Sequence, residues 1–97
     1  MTRKSAILLL SCPDRKGVVA TVAGFVFQHG GNILHADEHS DVDSGTFLMR
    51  VEFDPAAFDV PLNDFAKHFS PIAIDFDMRW RLAQSEYRPK MAILVSK

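Results

Sequence analysis

Residues 8–25, LLLSCPDRKGVVATVAGF, hold the reading that decides the fold. An apolar run gives way to polar and turn-forming residues and then to Gly17, and from Val18 small and apolar residues return at helical spacing. Ala6–Cys12 is apolar on both faces through Ile7, Leu8, Leu9 and Leu10, as a strand in the middle of a sheet must be. Pro13 ends it, because proline has no N–H to give to a ladder. Val18, Val22, Phe25 and Val26 fall on one helical stripe. Gly30-Gly31 then offers the left-handed backbone that stops a helix. A strand feeds a helix through a tight loop.

Working outward, Asn32–Val42 reads as a second strand, polar enough to be partly exposed. Asp43-Ser44-Gly45 turns it into Thr46–Asp54. There Phe47, Met49, Val51 and Phe53 alternate with Thr46, Leu48, Arg50 and Glu52. Asp54-Pro55 closes that strand. A second helix carries Phe58, Leu62, Phe65, Ala66 and Phe69 on one stripe, tolerates Pro61 near its first turn, and breaks at Ser70-Pro71. Ile72–Leu82 alternates again, with Ile72, Ile74, Phe76, Met78, Trp80 and Leu82 against Ala73, Asp75, Asp77, Arg79 and Arg81, which predicts a strand with one buried and one wet face. The order is βαββαβ with two right-handed crossovers. This is an α+β, ferredoxin-like sandwich: a four-stranded antiparallel sheet with two helices on one face.

The chain has 97 residues, enough for one domain with one core. A net charge of -1 with interleaved signs excludes the basic surface that nucleic acid requires. The single cysteine, Cys12, allows no internal disulfide and no zinc pattern. The apolar run after the polar residues 1–5 is too short for a signal peptide or a membrane span, so the chain reads as cytoplasmic. Ala83–Pro89 has the composition of a linker. Met91–Val95, within residues 90–97, looks like a buried-type strand appended to a finished domain, which makes the chain an excerpt of a longer one.

Four candidate sites follow from the residues. Asp14-Arg15-Lys16-Gly17 has one glycine and no following Ser or Thr, so it is not a phosphate loop. Cys12 has no base at a telling spacing and reads as a small hydrophobe. His35, Asp37 and His39 share one strand face, but the two histidines stand about 13 Å apart at strand rise, too far for one metal without a bulge. The helix N-terminus after Asp14 can take a carboxylate on its free N–H groups, with Gly17 admitting a close approach. Asn32 offers both a donor and an acceptor. Together these suit a small amino acid; the plainer reading is a helix cap and a turn. A further expectation concerns the sheet: Leu8, Leu10 and Leu48 should form an apolar patch on its helix-free face, covered by a second copy or by an adjoining domain.

DRKGVVATVAGFVFQHGGNI, residues 14–33, resembles the signature of ACT domains, small βαββαβ modules that bind amino acids and regulate attached enzymes. The longer stretch from Leu8, with MRWRL and RPKMAILVSK, is similar to the N-terminal part of formyltetrahydrofolate deformylases. The resemblance implies an ACT domain over 1–82, a linker over 83–89, and the first strand of a formyltransferase-like catalytic domain over 90–97. It implies hydrolysis of formyltetrahydrofolate to formate and tetrahydrofolate, in support of purine synthesis, by residues of that second domain. No catalytic residue, metal site or cofactor falls to this chain. The ligand positions carried over are Asp14, Arg15, Gly17, Val18, Asn32 and Ile33, for an effector such as glycine or methionine, within a homo-oligomer. Lys16 stands where many ligand-binding ACT loops have proline. The other readings are a stand-alone amino-acid sensor acting through a partner protein, and a purely structural dimerisation domain.

Overall fold

The computed structural model describes residues 3–87; the strand expected at Met91–Val95 lies outside them. The elements run β1 (Arg3–Pro13), α1 (Val18–Gln28), β2 (Asn32–Asp41), β3 (Thr46–Asp54), α2 (Phe65–Phe76) and β4 (Arg79–Tyr87), with a 3-10 turn at Leu62–Asp64 before α2. The sheet is antiparallel in the order β2-β3-β1-β4, with β1 central as its all-apolar run requires. This is the ferredoxin-like arrangement expected. No helix among the described residues is long and apolar enough to cross a membrane.

The core lies between the helices and one side of the sheet. Val18, Val22, Phe25 and Val26 of α1 are buried, as the stripe predicts. From β3 the buried set is Phe47, Met49, Val51 and Phe53. Aromatic rings tie the layers together: Phe25 to Phe69 at 5.3 Å between centroids, and Phe69 to Trp80 of β4 at 5.0 Å. Both helices stop by the same device. At α1, Gly30 (φ 88°) is left-handed, its N–H donates to Phe27 O and that of Gly31 to Val26 O. At α2, Asp77 (φ 55°) is left-handed, its N–H donates to Ile74 O and that of Met78 to Ala73 O. These are Schellman ends.

Three expectations change. The second helix does not break at Ser70-Pro71; it starts at Phe65 and continues through Pro71 to Phe76. Phe65, Phe69, Ala73 and Phe76 are buried at helical spacing, while Ile74 is 80% exposed and Ala66 is exposed. Phe58 packs on the core from the loop ahead of the helix. An internal proline costs a helix about 3 kcal/mol, and each buried Phe side chain returns about 1.5–3 kcal/mol, so the apolar stripe wins. The strand therefore begins at Arg79 and continues through Ala83–Tyr87, residues whose composition reads as a linker. Finally, Leu8 and Leu10 face the helices with Ala6 and Cys12, and are buried. The helix-free face carries Ile7 and Leu9 instead, with only Leu48 placed as expected.

Candidate functional site

The loop between β1 and α1 is held from two sides. Asp14 N–H donates to Gly45 O at 2.8 Å, pinning the loop to the β2–β3 turn. Arg15 Nη1 donates to Asp75 O at 3.0 Å, and its guanidinium lies 4.5 Å from the centroid of the Phe76 ring. Arg15 is thus a brace between the loop and the last turn of α2, where carbonyls are free to accept. Gly17 is the N-cap of α1 with φ 88°, and no side chain caps the helix. Asp14 is exposed and does not cap, so the first N–H groups of α1 keep their capacity for an anion.

A β-carbon on Gly17 would meet nothing within 4 Å. Glycine is there for its backbone angle, and the close approach expected of it is a lesser matter. A valine at this position is strained by the positive φ whether or not a ligand is present. Val18 is buried in the core and offers only its backbone.

Asn32 and Ile33 do not join this loop within one chain. Asn32 pairs with Asp54, beyond the Phe53–Ala6 pair, whereas the loop leaves β1 at Pro13, opposite Thr46. About 25 Å of strand separates the two ends of the sheet.

What the fold does bring to the loop is a pair of charges that the strand reading of Ile72–Leu82 hid. A cleft of about 340 Å³ at the end of the sheet is lined by Ser11–Pro13, Ser44–Thr46, Asp77 and Arg79. Pro13 and Gly45 join it to the loop. Asp77 and Arg79, both exposed, line the same cleft without an ion pair between them, so an acidic and a basic residue border it together. Arg79 can take a carboxylate in a two-pronged grip, and Asp77 an ammonium. A zwitterion is the ligand class with both. The signal that could have found Asp77 is the helical stripe ending at Phe76, with an Asp next in line to take the left-handed stop.

The other candidates have plainer surroundings. The Cys12 thiol is buried, and burial above all raises its pKa; the Asp14 charge adds to this and Arg15 opposes it. It is a small hydrophobe. His35, Asp37 and His39 share one strand face; the His35 ring bonds Asp37 Oδ2 at 2.9 Å, and the bulge in β2, between Ile33 and His35, precedes them and does not draw His39 closer. Among the described residues no group of three or more potential ligands converges.

Comparison with known proteins bears on this geometry. The family model for the ACT domain matches residues 6–65. The whole chain is 40% identical, over 97 residues, to a formyltetrahydrofolate deformylase of Synechocystis, of which it covers 34%. It is 38% identical over 91 residues to one of Bacillus subtilis, covering 30% of that protein. The crystal structure of a formyltetrahydrofolate deformylase from Pseudomonas syringae superposes with a TM-score of 0.81 at 40% identity, over 84% of this chain and 28% of that one. The match is to the N-terminal part of these proteins, and the chain spans about a third of their length.

Proposed function

The chain belongs to the ACT domain family, and on that premise we propose that it is the effector-binding N-terminal module of a formyltetrahydrofolate deformylase, without hydrolytic chemistry of its own. The observation that carries this reading is the match of the entire chain, at 40% identity, to one end of such a protein. The parent protein would hydrolyse formyltetrahydrofolate to formate and tetrahydrofolate, and the chemistry would belong to the remaining two-thirds of its length. The purified chain should release no formate from formyltetrahydrofolate above a heat-treated control; measurable release overturns this part.

The effector is a small α-amino acid, with glycine and methionine first to be tried. Its carboxylate would lie on Arg79, its ammonium on Asp77, and the Asp14–Gly17 loop would close the mouth of the cleft. Support comes from the unspent charges in the cleft and from the fixing of the loop by Arg15 and Gly45. Titration calorimetry across the amino acids tests it. Loss of a charged hydrogen bond costs about 1.5–3 kcal/mol, so Arg79→Ala and Asp77→Asn should each weaken binding roughly ten- to a hundredfold. Asn tolerates the left-handed backbone at 77, which keeps the helix stop intact. Asn32→Ala, at the other end of the sheet, should leave the affinity unchanged. If no amino acid binds at millimolar concentration, the structural reading of the domain stands instead.

A further inference from the structure

His29, Asp59 and His68 meet where the end of α1, the loop over 55–61 and the first turns of α2 come together. His29 is the C-cap of α1. It holds Asp59 twice: its carbonyl oxygen accepts the Asp59 N–H at 2.7 Å, and its Nδ1 lies 2.7 Å from Asp59 Oδ1. Phe58 packs on the core and Val60 is buried, so the residues on either side of Asp59 are anchored. The His29 ring lies 4.8 Å from that of Phe25 between centroids, and 6.0 Å from that of His68 at an interplanar angle of 65°. The same Phe25 ring meets Phe65 at 5.5 Å and Phe69 at 5.3 Å, the buried neighbours of His68 on α2, which fixes the spacing of the two helices at this point.

A carboxylate can only accept, so the neutral His29 ring puts its proton on Nδ1 and keeps the Nε2 lone pair for another partner. A carboxylate on the far nitrogen is the usual companion of a metal-bound histidine, because it fixes the tautomer and makes the ligand more basic. A pair that only clasped the loop to α1 would have no use for a second imidazole beside it. A metal ion stands about 2.0–2.1 Å from an imidazole nitrogen, hence about 3.2 Å from the ring centroid, and two rings on one ion have centroids about 5–6.4 Å apart. The observed 6.0 Å falls in that range. His68 is exposed, so its ring can turn to the angle an ion demands without disturbing the core.

We propose that His29 and His68 form a binding site for a divalent metal ion of the zinc class, with Asp59 as a positioning residue acting through His29. Two imidazoles select a borderline ion such as Zn²⁺ over Mg²⁺ or Ca²⁺, which prefer oxygen. Among the described residues no third ligand converges on the pair, so water completes the coordination and the affinity is moderate. The bound ion ties α1 to α2 toward the other end of α2 from Asp77, so the site stands whether or not an amino acid occupies the cleft.

Zinc chloride titrated into the untagged chain, followed by calorimetry and by the melting temperature, tests the proposal. One zinc ion should bind per chain and raise the melting temperature by several degrees, and Mg²⁺ should do neither. His68→Ala should weaken binding at least tenfold with no loss of metal-free stability, since the side chain is exposed. His29→Ala should weaken it as much, and His68→Ala carries the test alone if that variant fails to fold. Asp59→Asn, which keeps an oxygen for Nδ1, should weaken binding roughly ten- to a hundredfold. Replacing the chain's other two histidines, His35→Ala with His39→Ala, should leave it unchanged. A chain whose melting temperature and heat signal zinc does not alter overturns the proposal. So does binding that persists at wild-type affinity in His68→Ala, or that disappears with His35 and His39. Wild-type affinity in Asp59→Asn overturns the positioning role of Asp59.

Discussion

Gly30 and Gly31 are neighbours with different reasons to lack a side chain. Gly30 has a positive φ, and a β-carbon there would run into the carbonyl oxygen of Ala57. Gly31 has no such angle, but its β-carbon would come within 2.6 Å of Val26 Cγ1 and 3.1 Å of the Phe53 and Phe58 rings. Gly17 shares the angle of Gly30 without the crowding. Left-handed backbone costs an L residue about 1–2 kcal/mol, so Gly17→Ala should lose about that much. Gly30→Ala should lose distinctly more, since a backbone oxygen cannot step aside. Urea denaturation of the two variants checks the order. Cys12 makes a prediction in pH. Its raised pKa means that the folded state holds the thiol proton more tightly than the unfolded chain does. That stability is fully present below the ordinary thiol range and is lost as pH rises through the raised folded value. Cys12→Ala should therefore show a shallower alkaline fall in melting temperature than the wild-type chain.

At the scale of the element, α2 and β4 teach the most. Pro71 removes the N–H that would reach Lys67 O, in the body of a helix. Pro71→Ala restores that bond, while the freer unfolded chain takes back about 0.4–1 kcal/mol. A net gain of about 2–2.6 kcal/mol is expected, read as a higher melting temperature. The alternation of Ile72, Ile74 and Phe76 is real in the sequence, but it coincides with positions that a helix also supplies. Ile74 decides between the two, because a strand would bury it and the helix leaves it in water. The proline and the period of two agreed on the wrong reading, and it displaced Asp77 and Arg79 from the site. β1 was ambiguous in another way. With Ile7, Leu8, Leu9 and Leu10 all apolar, the middle of the strand carries no information about which face is which. Its ends do: Ser5 and Ser11 share the face of Ile7 and Leu9, while Ala6 and Cys12 share that of Leu8 and Leu10. The β3 alternation, the α1 stripe and the Gly30-Gly31 stop were legible because each pattern has one explanation. Asp14 and Gly17 were found from local chemistry. The distance to Asn32 could not be, because it depends on register between strands.

The molecule is a thin slab, 40 × 32 × 18 Å, and among the described residues both helices lie on one side of the sheet. Such a body should not open evenly. β1 bonds neighbours on both sides and is buried on its helix face, while every residue of β2 is exposed and its ladder is interrupted by the bulge. Amide hydrogen exchange should be slowest in the middle of β1 and of β3, and fastest in β2, by orders of magnitude across one sheet. Protection of β2 equal to that of β1 in the monomer would contradict this.

Arg3 pairs directly with Tyr87, so the first and last described residues lie side by side at the end of the sheet away from the β1–α1 loop. The described part of the polypeptide enters and leaves through a single doorway. A short linker across that doorway would close residues 3–87 into a ring, which could be reopened elsewhere. New ends made between Val42 and Asp43, where the side chain of Val42 is almost wholly solvent-exposed, should yield a circular permutant with the same strand order. The same adjacency lets the unit be spliced into a host loop without prising that host apart. A graft of this kind would carry the Asp77–Arg79 cleft at its outer tip, about 25 Å from the splice.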